Sequence, residues 1–183
     1  MEFFDVLDEQ GNKTGEIIER SEAHKKGICH RVIQVWVINS NNELLLQKRS
    51  ANKDSCPNMW YVSLGGHIEA NEDNRQTIIR EFSEELGLDV SNQMDEIKYL
   101  YTFHEIAVLN DGQFIDNEFY DVYFIKMDLD PETLVLQEDE VSEVKFIGYH
   151  EFKQAVINKD KSYWIHEEGF RKLFECLDQY IDN

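Results

Sequence analysis

Between Gly65 and Leu88 the chain spaces glycine, acid and apolar residue in a way that leaves little freedom in how it folds. The stretch reads Gly65-Gly66-His67-Ile68-Glu69-Ala70-Asn71-Glu72 and then, after seven residues, Arg80-Glu81-Phe82-Ser83-Glu84-Glu85-Leu86-Gly87-Leu88. At about 100° per residue, a helix from Glu72 to Leu86 sets Ile78, Ile79, Phe82 and Leu86 in one apolar stripe and gathers Glu81, Glu84 and Glu85 on another face. Like charges so close repel and tend to trap a proton, so divalent cations are expected among them. Donors that are all oxygen favour Mg²⁺ or Mn²⁺ over zinc. The Gly65-Gly66 pair lets backbone approach a ligand closely and offers a carbonyl to a metal, and Gly87 suits the helix C-terminal cap.

These positions satisfy the pattern G-x5-E-x7-R-E-U-x-E-E-x-G-U, with U apolar, at every fixed place. The chain therefore resembles the Nudix hydrolases. The resemblance implies an α/β fold, an α/β/α sandwich around a mixed sheet, and a Mg²⁺-dependent (or Mn²⁺-dependent) pyrophosphohydrolase. It also implies that Glu81, Glu84, Glu85 and the Gly65 carbonyl hold metal, that Arg80 orients the acids and that Glu72 supports them. Glu84, Glu85 and Arg80 thus stand as catalytic candidates. A general base from a later loop is a variable part of the family's pattern. Here Glu138 and Glu140, flanking Asp139 in Gln137-Glu138-Asp139-Glu140-Val141, are the candidates, against the plain reading of a solvated acidic loop.

A closer resemblance, over roughly residues 20 to 150, is to type I isopentenyl-diphosphate isomerase. It is carried by Leu45-Leu46-Gln47-Lys48-Arg49, Lys53, Pro57-Asn58-Met59-Trp60, Ser63, Gly66-His67 and Asn117-Glu118. Arg49, Lys53 and Trp60 are the substrate-binding candidates within them. This resemblance implies a second metal site from His24, His30, His67, Asp116 and Glu118. The isomerases place a proton-transferring cysteine just before the Gly-His pair, where this chain has Gly65, while the Arg-Glu and Glu-Glu pairs are intact. Cleavage of a diphosphate, in a nucleoside diphosphate derivative or another organic diphosphate, is therefore expected. The alternatives are an isomerase-like enzyme and a domain that binds a phosphorylated metabolite without turning it over. Trp60, Tyr61, Phe103, Tyr123 and Trp164 can stack on a base or pack an isoprenoid, although aromatics in such strands are more often core.

A chain of 183 residues suits one domain. The expected layout is an N-terminal hairpin and short helix over 1–28, a Nudix domain over 29–158, and a C-terminal helix over 159–183 packed on the same domain. Strands are expected at His30 to Ile38, Leu44 to Arg49 as its hairpin partner, Trp60 to Leu64, Ile97 to Ile106, Glu118 to Met127 and around Val144. Eighteen basic against thirty-seven acidic residues give a formal charge of −19, which opposes binding to polymeric nucleic acid or an anionic membrane. The N-terminus has no signal-like pattern and no run is long enough to span a membrane, so a cytoplasmic protein is expected, with homodimerisation left open. Cys29, Cys56 and Cys176 have no ligand spacing and are expected to be reduced thiols.

Overall fold

A computed structural model describes residues 1–181; Asp182 and Asn183, the last positions of the expected closing helix, lie outside the described residues. The chain opens with a hairpin of β1 (Phe3–Leu7) and β2 (Lys13–Glu19). Its turn is held by Asp8, whose carboxylate accepts from the amides of Gln10 and Asn12, each at 2.9 Å. Helix α1 (Arg20–Lys26) follows, closed by Gly27 at φ 64°. Then come β3 (His30–Ile38), β4 (Glu43–Arg49), β5 (Trp60–Tyr61), β6 (Leu64–His67) and α2 (Asn74–Leu86). The second half holds β7 (Lys98–Leu109), β8 (Phe114–Lys126), β9 (Val141–Gly148), α3 (Tyr149–Ile157) and α4 (Glu167–Ile181).

Seven strands form one mixed sheet in the order β5-β4-β3-β8-β7, with β6 also on β3 and β9 also on β4. The parallel pair, β3 with β8, sets His30 opposite Glu118. Alternation along β3 divides the core. Val32, Trp36 and Ile38 face the side where α3 and α4 contribute Phe152, Phe170 and Leu173. Ile33, Val35 and Val37 face the side where α2 contributes Ile78, Phe82 and Leu86. The result is the sheet sandwiched between helices that the resemblance implied.

The expected hairpin of β3 and β4 forms only at its turn. Asn39 N–H donates to Glu43 O at 3.0 Å and Ile38 registers with Leu44, after which β4 departs to pair with β9 and β5. A strand edge offers one set of backbone groups, and on β3 the stretch Val32 to Val35 is taken by β6, which carries the two glycines. Helix α2 begins at Asn74, two residues later than expected, because Asp73 caps it. The Asp73 carboxylate accepts from Gln76 N–H, and the Gln76 side chain accepts in return from Asp73 N–H, both at 2.9 Å. Gly87, at φ 68°, closes the helix as expected.

Candidate active site

The turn between β6 and α2 presents the glycine pair to the acidic face of the helix. Glu81 and Glu85 lie one turn apart and both are buried, whereas Glu84 is exposed. Arg80 ties the group together. Its Nε and Nη2 engage both oxygens of Glu72 at 3.2 and 3.1 Å, Nη1 donates to Glu81 at 2.6 Å and to Glu84 at 3.2 Å, and Nη2 also donates to the His67 carbonyl at 2.9 Å. The planar fork of the guanidinium is what allows one cation to orient three acids. Burial pushes Glu81 up to about 7, with Arg80 opposing the shift. Burial and the neighbouring Glu81 raise Glu85 well above the carboxylate range. Without a cation these buried acids therefore hold on to protons that Arg80 alone does not displace, and the donors are all oxygen. That set fits Mg²⁺ or Mn²⁺.

This helix forms one wall of an open cleft of about 930 Å³, solvent at its mouth included. Arg49 and Lys53 line the other side. Arg49 lies 4.7 Å over the Trp164 ring and is anchored by Ser55, while Lys53 pairs with Glu140. The acidic loop splits its candidates: a tight turn, with Glu140 N–H on Gln137 O at 2.8 Å, brings Glu140 to the cleft and leaves Glu138 and Asp139 exposed outside it. Trp60 is likewise not brought into the cleft. Successive side chains on a strand point to opposite faces, so Tyr61 lines the cleft while Trp60 packs beneath Lys145, whose Nζ lies 4.0 Å from its ring centroid. Phe103 is core, and Tyr123 accepts a hydrogen bond from Asn74.

A histidine cluster sits in the same cleft. One donor atom from each of His24, His30, His67 and Glu118 lies within 4.8 Å of all the others. Glu118 Oε1 is 3.1 Å from His30 Nε2 and 3.2 Å from His67 Nε2, and Tyr120 donates to its other oxygen at 2.5 Å. Burial works against a charge on Glu118, but the two histidines outweigh it and hold the carboxyl well below its usual range. Burial pushes His67 down to about 3. His30 Nδ1 faces the Ile28 carbonyl at 2.8 Å and must donate to it, so Nε2 is the nitrogen turned to Glu118. Neither nitrogen of buried His24 has a hydrogen-bond partner; Asp116 lies 3.1 Å away without hydrogen-bond geometry. Phe4 of the hairpin stacks on both His30 and His67, and Phe114 stacks on His24. Nothing in the spacing of the chain pointed to Phe4, Phe114 or Gln34. Tyr120 had a signal: it stands two residues after Glu118, hence on the same strand face.

A mixed sheet between helices, with a glycine pair feeding a helix of arginine-pinned glutamates, is the architecture of the Nudix class. The chain belongs to that family: the NUDIX domain matches residues 29–168. It is 39% identical over 184 residues to Nudix hydrolase 3 of Arabidopsis thaliana, covering 97% of this chain but only 23% of that longer protein. It is also 30% identical to isopentenyl-diphosphate Delta-isomerase 2 of Aromatoleum aromaticum, covering 96% of this chain and 85% of the isomerase. A crystal structure from Deinococcus radiodurans shares the fold at 22% identity, with a TM-score of 0.66 over 86% of this chain and 90% of that one. Among the described residues, no helix is long and apolar enough to cross a membrane.

Proposed function

We propose that the protein is a Mg²⁺- or Mn²⁺-dependent hydrolase of a small organic diphosphate or nucleoside diphosphate derivative. The observation that carries this reading is the acidic face of α2, where Glu81 and Glu84 line the cleft opposite Arg49 and Lys53 and Glu85 lies buried one turn beyond Glu81. Glu81, Glu84 and Glu85, with the Gly65 carbonyl, would hold the metal. Divalent cations held there would lower the pKa of bound water and offset charge on the phosphoryl oxygens, effects worth several kcal/mol. Arg80 keeps the acids in register through Glu72. Arg49 and Lys53 bind the diphosphate oxygens, and as Lys53 turns to the substrate it releases Glu140 to take the proton of the attacking water. Gly65 offers no side chain to move a proton, which weighs against the isomerase reading.

The test is incubation with Mg²⁺ and a panel of diphosphates that includes isopentenyl diphosphate, with products identified by mass. Hydrolysis of at least one is expected, and Glu85→Gln should lower its kcat by about 10² to 10⁴ with the fold retained. A variant keeping more than half the rate would end this assignment, and an isomerised product would favour the alternative.

A second reading concerns the histidine cluster, which we infer to be a separate metal site. It is favoured by the two unpartnered nitrogens of His24 beside His30, His67 and Glu118. Imidazole donors favour Zn²⁺ or Mn²⁺ over Mg²⁺. Metal content measured after dialysis against Mn²⁺ or Zn²⁺ should fall in His30→Ala and His67→Ala; equal ratios in both variants and wild type would remove the site.

A further inference from the structure

Behind the cleft floor lies a chain of hydrogen bonds that the proposed hydrolysis does not yet use. Tyr61 lines the cleft and is buried, its hydroxyl oxygen 2.5 Å from Gln34 Nε2, which donates to it, and 2.7 Å from His166 Nε2. His166, 1% exposed, sets Nδ1 2.8 Å from Glu105, whose side chain reaches solvent. The Trp164 ring stacks on Tyr61 at 4.5 Å, and Tyr120 lies 4.9 Å from His166. Arg49 covers the other part of this stack, so the charged groups facing the chain are Arg49 from β4, Glu105 from β7 and Glu118 from β8, the last through Tyr120.

A carboxylate only accepts, so His166 Nδ1 carries a proton toward Glu105. A phenol oxygen has one proton and two lone pairs, one of them filled by Gln34. When Nε2 is also protonated it fills the second, and the Tyr61 hydrogen is left to point into the cleft. When Nε2 is bare, the phenol donates to it and turns a lone pair to the cleft instead. Passing one proton along the chain thus switches Tyr61 between donor and acceptor. Burial holds the phenol well above its ordinary range, so a lone phenolate does not accumulate and release toward a ligand requires a second proton from behind.

We infer that Tyr61, supplied by His166 and Glu105, is the proton donor to the leaving group in this cleft. This rests on the diphosphate-hydrolase reading. Water oxygen bonds to phosphorus and its proton goes to Glu140. The bond to the leaving oxygen breaks, and that oxygen keeps the electron pair and takes the Tyr61 proton. The phenol oxygen takes the His166 Nε2 proton, leaving a neutral imidazole with Nδ1 still bonded to Glu105, and solvent restores the proton after product leaves. Tyr61 is the catalytic residue; His166 and Glu105 supply and position it.

Two arms test this. Rates of wild type, Tyr61→Phe and His166→Gln are compared on the best diphosphate and on a dinitrophenyl ester of the same phosphoryl group, whose phenolate is much less basic than a phosphate leaving group and departs without a proton. Loss of about 10²-fold or more on the diphosphate, with little change on the aryl ester, is expected for both variants. Gln at 166 keeps a donor for Tyr61 but cannot surrender its proton, so a merely structural histidine would leave that variant near wild type. The other arm follows the His166 ring nitrogens by NMR as methylenediphosphonate and Mg²⁺ are added, binding being confirmed by calorimetry. A shift of Nε2 in wild type, absent in Tyr61→Phe, is expected. That shift without hydrolysis of any diphosphate would sink the hydrolase reading and keep the proton chain. Hydrolysis at equal rates in wild type and Tyr61→Phe would do the reverse.

Discussion

One methyl group at each of the paired glycines separates their roles. A Cβ at Gly66 would stand 1.9 Å from Glu81 Oε1 and 2.1 Å from its Cδ, so the buried carboxylate occupies the space a side chain would need. At Gly65 the nearest atoms, Ile33 O and Val62 Cγ2, are at 3.4 Å, an ordinary contact. Gly66→Ala should therefore cost about 1–3 kcal/mol by overpacking, while Gly65→Ala should stay within about 0.5 kcal/mol. Calorimetric Tm values of the two variants check this, and equal losses would refute it. The sequence shows two adjacent glycines and no asymmetry between them. Which one the acid leans on depends on where α2 docks against β6.

At the scale of elements, α2 is the part most legible in the chain, because its apolar stripe, its arginine-glutamate run and Gly87 all repeat with helical spacing. Its start is set by a reciprocal cap, and removing the oxygen in Asp73→Ala should cost about 1 kcal/mol. In a chain of this size that lowers Tm by about 2–4 °C. An unchanged melting curve would mean that the packing of Phe82 and Leu86 alone holds the first turn. The pairing of β4 was not legible for a different reason. Alternation marks a strand but says nothing about its partner, and the contest between β4 and β6 for one edge of β3 is decided by residues far apart in the chain. Trp60 and Tyr61 show the same limit, since either could face the cleft until the register of β5 on β4 puts Tyr61 there.

For the molecule as a whole, the buried acids make metal-free stability depend on pH. Burial raises Glu81 from 4.5 to about 7, so the folded protein keeps a proton that the unfolded chain has already lost, and that contribution disappears as pH rises from about 4.5 through about 7. Gln at this position never acquires the charge. Metal-free Glu81→Gln should therefore match wild type near pH 4.5 and become the more stable of the two as pH rises past about 7. His67, which burial lowers to about 3, contributes the opposite slope in both proteins and cancels in the difference. Mg²⁺ should reverse the order above pH 7, because it binds the folded wild type in the proton's place. Melting curves of the two proteins across this range, with chelator and with Mg²⁺, decide the matter; a difference that does not change with pH would contradict the assignment.

What the sequence determined by itself was local: the carboxylate helix, its closing glycine, the strands around it, and through them the Nudix family and its oxygen-rich candidate metal ligands. Those features recur at spacings of one turn or one strand residue, so periodicity exposes them. Tertiary structure alone decided that Glu140 rather than Glu138 reaches the cleft, and that Phe4 seals the histidine cluster. It alone brought Tyr61 and Glu105, from two strands, and His166, from the loop before α4, into one line of hydrogen bonds. These depend on which edges pair and which faces bury, and that is settled by the free energy of the whole packed chain rather than by any neighbour in sequence.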